Sequence, residues 1–179
     1  FQAQDIGNKF LADVNFVNCG QVDLVGIDAD RVGFIGTTNA NGALVINTNS
    51  VPANWSDLSF TSDGTGHGIL IQNSGTYTFD NWTFSGYGAD ATTDAAIHVT
   101  ATDGNTVINI INGGDTPTIR NTGTGTVTVN NTVTITVQVV DPDGSPIQNA
   151  RVLLEAAAGG DLSAGTDILT GLTNASGIL

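Results

Sequence analysis

The 179 residues carry 17 acidic and 4 basic side chains, a formal net charge of −13, with 23 glycines and no methionine. Glu155 is the one glutamate and Lys9 the one lysine, so strong helix formers give way to Asp, Gly, Asn and Thr, which disfavours a helical or α/β fold. Lys9, Arg31, Arg120 and Arg151 lie scattered, which leaves no electrostatic footprint for nucleic acid, and no apolar run approaches the ~20 residues that span a bilayer.

The chain opens on Phe1 without a signal-like segment, as expected of a processed chain or a piece of a longer one. A short phrase then recurs: an apolar residue, a small or polar one, and phenylalanine. It reads Val14-Asn15-Phe16, Val32-Gly33-Phe34, Leu58-Ser59-Phe60 and Trp82-Thr83-Phe84, at steps of 18, 26 and 24 residues. Asp13, Asp57 and Asn81 precede three of the copies, and Val107-Ile108-Asn109-Ile110 reads as a fifth. Cys19, the single cysteine, follows the first copy; it cannot form an internal disulfide and is expected to be a small buried hydrophobe.

A second phrase runs out of phase with the first. Its copies are Gly42-Ala43-Leu44-Val45-Ile46, His67-Gly68-Ile69-Leu70-Ile71 and Ala95-Ala96-Ile97-His98-Val99, with Val22-Asp23-Leu24-Val25 as an earlier, degenerate member. Turn chemistry separates these pieces, as in Ser62-Asp63-Gly64-Thr65-Gly66 and Asp103-Gly104-Asn105. Apolar strands returning at such a period predict a parallel β-helix, a solenoid whose strands stack on those of the previous coil. A sandwich of antiparallel hairpins is the alternative. In the repeat, Trp82 falls where Val14, Val32 and Leu58 fall, and Trp55 aligns with Phe79.

The pattern changes near Thr126. Val127, Val129, Val133, Ile135, Val137 and Val139 occupy one parity and mostly Thr, Asn and Gln the other. Alternation of period two predicts a strand with one wet face, as in an antiparallel sandwich. The expected division is a solenoid domain over 1–129 and a second domain over 130–179. Asp141-Pro142-Asp143-Gly144-Ser145-Pro146 is then a turn, and Ala150-Arg151-Val152-Leu153-Leu154 a strand.

Asp141, Gly144, Pro146, Ile147, Ala150, Val152 and Leu154, with Thr173-Asn174-Ala175-Ser176-Gly177, resemble the start of a carboxypeptidase regulatory-like immunoglobulin-type module. The resemblance covers residues 133–179 and implies an incomplete Ig-like β-sandwich, completed by further polypeptide or by another subunit. The expected fold class is therefore all-β, a parallel β-helix followed by that module.

Few residues invite catalysis. Gly66-His67-Gly68 matches a short polygalacturonase motif, but the adjacent aspartate pair and the Arg-x-Lys segment of that family are missing. His67, in the turn before its strand and opposite Asn41, and His98, within a strand, are read as structural. Asp28 with Asp30, and Asp141 with Asp143, could hold calcium, yet their spacing completes no loop motif, so a metal site is left open. No glycine-rich stretch carries the Lys-Ser/Thr of a phosphate loop. Trp55, Trp82, Phe84 and Tyr87 could stack on a sugar; repeat phase favours the interior for the tryptophans and leaves Tyr87 open. The Asn-x-Ser/Thr triplets at Asn54, Asn81, Asn130 and Asn174 are expected by chance in this composition. No catalytic or cofactor-binding residue is assigned, and no cofactor is expected.

The repeated strand phrases, such as Gly75-Thr76-Tyr77-Thr78-Phe79-Asp80-Asn81-Trp82-Thr83-Phe84, resemble those of bacteriophage virion proteins: tail fibres, spikes and capsid-decorating fibres. The resemblance implies a non-enzymatic structural or attachment protein on the virion surface. It implies a homo-oligomer, a trimer, contacting other virion proteins and a host surface glycan, with no nucleic acid and no membrane insertion. The alternatives are a carbohydrate-active domain, either depolymerase or glycan-binding, and a secreted bacterial adhesin. The excess of aspartate is read as a by-product of many tight turns rather than as a binding surface.

Overall fold

Short β-branched and aromatic runs punctuated by Asn, Asp and Gly favour strands over helices. A computed structural model describes residues 9–52, 54–131, 135–158 and 163–179, and among these it holds fifteen strands and no helix. The chain divides into two compact units, Phe1–Val133 and Thr134–Leu179.

In the first unit one sheet has eight parallel strands. They are β1 (Phe10–Cys19), β3 (Asp28–Thr37), β5 (Trp55–Ser56), β6 (Ser59–Thr61), β8 (Gly75–Asp80), β9 (Thr83–Ser85), β11 (Asn105–Ile111) and β13 (Thr126–Asn131). β3 is the hub. It pairs with β1 along almost its whole length, with β5 through Ala29 and Asp30, and with β6 through Gly33, Phe34 and Ile35. From there β8, β11 and β13 extend one arm and β9 the other.

The second sheet has five parallel strands: β2 (Val22–Asp23), β4 (Leu44–Ile46), β7 (Ile69–Ile71), β10 (Ile97–Val99) and β12 (Ile119–Asn121), paired in that order. Its register sets Leu44, Ile69, Ile97 and Ile119 in one row. Every residue of β4, β7 and β10 is buried, the mark of a parallel sheet covered on both faces.

Both sheets contribute to one core, in which Val22, Leu44, Ile69 and Ile97 join Phe34, Phe60, Phe79, Trp55 and Trp82. Phe16, Phe34, Phe60 and Phe84 pair in register and stack with ring centroids 5.4, 4.9 and 5.2 Å apart. That interval matches the spacing of neighbouring strands, so the parallel register itself positions the rings. Burying each large side chain contributes about 1.5–3 kcal/mol.

The expected parallel β-helix is corrected here. Asp13, Arg31, Asp57 and Asn81 take left-handed backbone, φ 52–56°, a conformation Asp and Asn tolerate well. At these points the chain bends while staying within one hydrogen-bonded sheet. The eight-stranded sheet is therefore one curled sheet that shares the aromatic core with the five-stranded sheet, not a set of separate walls of a solenoid coil. Ile110, read as a fifth copy of the phenylalanine phrase, instead pairs with Phe79.

The antiparallel reading of the valine-rich segment is corrected as well. β13 pairs in parallel with β11, Val127 and Val129 pack on the core, and its threonines and asparagines face outward. An edge strand with one wet face alternates just as a sandwich strand does. Residues 132–134, within that same alternation, lie outside the described residues.

The second unit holds an antiparallel ribbon, β14 (Arg151–Glu155) with β15 (Asp167–Leu172), and two isolated bridges, Gln138 to Ile178 and Val140 to Pro146. The Ig-like β-sandwich expected here is corrected too: among the described residues no second sheet faces the ribbon. The expected turn does form. Asp141 accepts at Oδ1 from the amides of Asp143 and Ser145, and Gly144 takes a φ of +85°.

Candidate functional site

Alternation along β4, β7, β10 and β12 sends Leu44, Ile69 and Ile97 to one face of the five-stranded sheet and the residues between them to the other. That second row reads Val45, Leu70, His98 and Arg120. His67 comes to it from the turn before β7; the register places it opposite Gly42, one residue from the expected Asn41.

His67 is fully buried and His98 is 7% exposed. Their ring centroids lie 4.7 Å apart at an interplanar angle of 36°. His67 Nδ1 is 2.6 Å from the Ala95 carbonyl oxygen, which can only accept, so Nδ1 carries the proton. His67 Nε2 lies 3.5 Å from Arg120 Nη1. A guanidinium can only donate, so Nε2 presents its lone pair and the ring is neutral. His98 Nε2 lies 2.8 Å from the Thr122 hydroxyl, and His98 Nδ1, buried, has no hydrogen-bond partner.

Burial holds both imidazoles below their ordinary pKa. Arg120 pushes both the same way, and each ring would repel a charged neighbour, as the downward pull of His67 on His98 reflects. Asp94 and the Ala95 carbonyl pull His67 upward without overcoming burial.

Tyr87 closes the corner. A Cβ on Gly68 would sit 2.8 Å from the Tyr87 hydroxyl oxygen, so the phenol approaches the start of β7 because that position is glycine. Burial, helped by Asp63, raises the Tyr87 phenol well above its ordinary value, so it stays protonated. The ring packs edge-on to Phe84 at 6.3 Å.

The remaining sequence candidates are occupied by structural contacts. Trp55 and Trp82 are buried, and Trp55 Nε1 donates to the Ile27 carbonyl at 2.6 Å. Trp82 stacks on Phe79 at 4.0 Å. Asp28 accepts from Asn54 and Asp30 from Ser56, while Asp141 caps its own turn. No group of three metal-ligating side chains occurs among the described residues. Asn81 donates to Asp57, Asn130 to Asn109, and Asn174 accepts from the amides of Ser176 and Ile178. Cys19 is half-buried rather than buried, packed on the rim of the core.

A groove of about 320 Å³ lies beside β5 and β8, lined by Val51, Pro52, Trp55, Thr78, Asp80 and Ile111. Trp55 is only 2% exposed, so its ring face is closed to a sugar.

Sequence reading treated His67 and His98 one at a time and missed that they meet. The register aligns His67 with Ala95, three residues short of His98, so equivalent positions in the repeat gave no sign of the pair. No family model matches the chain, and neither a curated protein nor a solved structure matches it.

Proposed function

We propose that the chain is a non-enzymatic structural or attachment protein of a phage virion, working through self-assembly and surface exposure. The observation that carries this reading is the state of the sheet edges. Among the described residues, no strand pairs with the outer edges of β12 and β13 at one side or of β1 and β2 at the other. An open parallel edge offers a row of amides and carbonyls to another chain. On β13 the edge is dressed in Thr126, Thr128, Asn130 and Asn131, whose side chains hydrogen-bond to Asn105, Asn109 and Thr116. Such a surface can pair with a partner strand without exposing the aromatic core.

The test combines light scattering with virion analysis. A homo-oligomer, a trimer, is expected at micromolar concentration, and Thr128→Lys, which sets a charge on the exposed face of the edge strand while keeping its bonds to β11, is expected to dissociate it. A folded monomer across the concentration range would overturn the assembly. Mass spectrometry of purified phage particles that lacked the chain would overturn its place on the virion.

A further inference from the structure

The His67–His98 pair sits where three tiers of the five-stranded sheet meet, and nothing in the proposed assembly uses it. We propose that this pair is an acid-sensitive lock on the sheet, holding β7, β10 and β12 together while both rings are neutral and loosening them once a proton enters either ring.

The geometry makes each protonation costly. A proton on His67 Nε2 would point an N–H at the Arg120 guanidinium, 3.5 Å away, turning an acceptor contact into one between two cations. A proton on His98 Nδ1, which makes no hydrogen bond, would be favoured only by the Asn41 backbone, and burial outweighs that pull. A charge on either ring would also lie within a 4.7 Å centroid spacing of the other, so the second protonation is opposed by the first.

The surrounding charges can be named element by element. Arg120 arrives from β12 and acts on both rings. Asp94, from the segment before β10, is the carboxylate that favours a charged His67. Tyr87, following β9, is neutral, and Asp63 acts on that phenol. Val45 and Leu70, the row neighbours on β4 and β7, carry no charge. One carboxylate therefore stands against an arginine and a second imidazole.

Both folded-state imidazoles lie below the ordinary value of about 6.5. A depressed histidine contributes stability that is complete above the unfolded value and is lost as pH falls through it toward the folded value. One such histidine raises the opening equilibrium by at most about tenfold between pH 7.5 and 5.5, and two raise it by at most about a hundredfold.

Amide hydrogen exchange on the full chain at pH 7.5 and 5.5, corrected for intrinsic rates, is the experiment. Protection of the β7, β10 and β12 amides is expected to fall more than that of β3, β8 and β11, by up to about a hundredfold. His98→Leu, which extends the Val45–Leu70 row, is expected to remove most of that difference. Equal losses in both sheets, or an undiminished difference in the variant, would overturn the lock. Should the variant fail to fold, imidazole titration in the wild-type protein by NMR decides: values below about 6.5 for both rings support it, and a value at or above about 6.5 for either sinks it.

Discussion

The two units use similar strand-forming residues to opposite ends. In the first, apolar side chains point into a core shared by two parallel sheets, and Phe34, Phe60, Phe79, Trp55 and Trp82 are essentially removed from water. In the second, Leu153 and Leu172 stay more than half exposed on the ribbon, and Thr173 is buried instead. Register explains the contrast. A parallel ladder brings equivalent residues of distant segments above one another, so each added strand buries the side chains of the last. A two-stranded ribbon has no such neighbour and relies on hydrogen bonds around its turns. The first unit is therefore held by packing in a shared core and the second by polar contacts, among them the Thr173 hydroxyl on Ile147 and Ala150.

Phe60→Ala strikes that difference hardest. Phe60 stacks between Phe34 and Phe84 and touches Trp82 at 5.9 Å. Truncation loses burial and leaves a hole that rigid parallel strands cannot close, at about 3–5 kcal/mol. Urea unfolding followed by fluorescence of Trp55 and Trp82, both in the first unit, reads this directly. A loss below ~1 kcal/mol would mean that the stack is not what holds the sheets together.

Much of the packed unit was legible because its spacing is chemical. Phe16, Phe34, Phe60 and Phe84 recur after a residue able to bend the chain, and Asp13, Asp57 and Asn81 advertise that bend. Arg31 does not; it holds the same conformation through a forked ion pair with Asp13, Nε to Oδ1 at 2.7 Å and Nη2 to Oδ2 at 3.1 Å. What spacing could not reveal is whether such bends separate the walls of a coil or curl one sheet, since both place phenylalanines in register. Nor could alternation at Val127 and Val129 distinguish a parallel edge from an antiparallel face. The histidine pair was hidden for a third reason, because its rings meet from non-equivalent positions in the repeat.

Thr173→Val tests the polar side of the contrast. The Thr173 hydroxyl donates to the Ile147 carbonyl at 2.6 Å and accepts from the Ala150 amide at 3.0 Å. Valine keeps the shape and strands both backbone groups, a loss of about 1–3 kcal/mol. Exchange protection of the β14 and β15 amides should fall accordingly, with the tryptophan transition of the first unit unmoved. If the two units shifted together, their stabilities would not be separable.

Gly144→Ala is the smallest change and the most local. Gly144 closes the Asp141 turn with φ +85°, its amide donating to the Asp141 carbonyl at 3.0 Å. An added Cβ would meet nothing within 4 Å, so crowding plays no part and the cost is backbone conformation alone, about 1–2 kcal/mol. The expected readout is faster exchange at Ser145 and Ile147, whose amides bond to Asp141 Oδ1 and the Val139 carbonyl. Gly144→Asn separates the two possible causes: asparagine is larger yet tolerates left-handed backbone better, so it should recover part of the loss. If asparagine were worse than alanine, side-chain volume would govern this turn, and the second unit would share more of the first unit's dependence on packing.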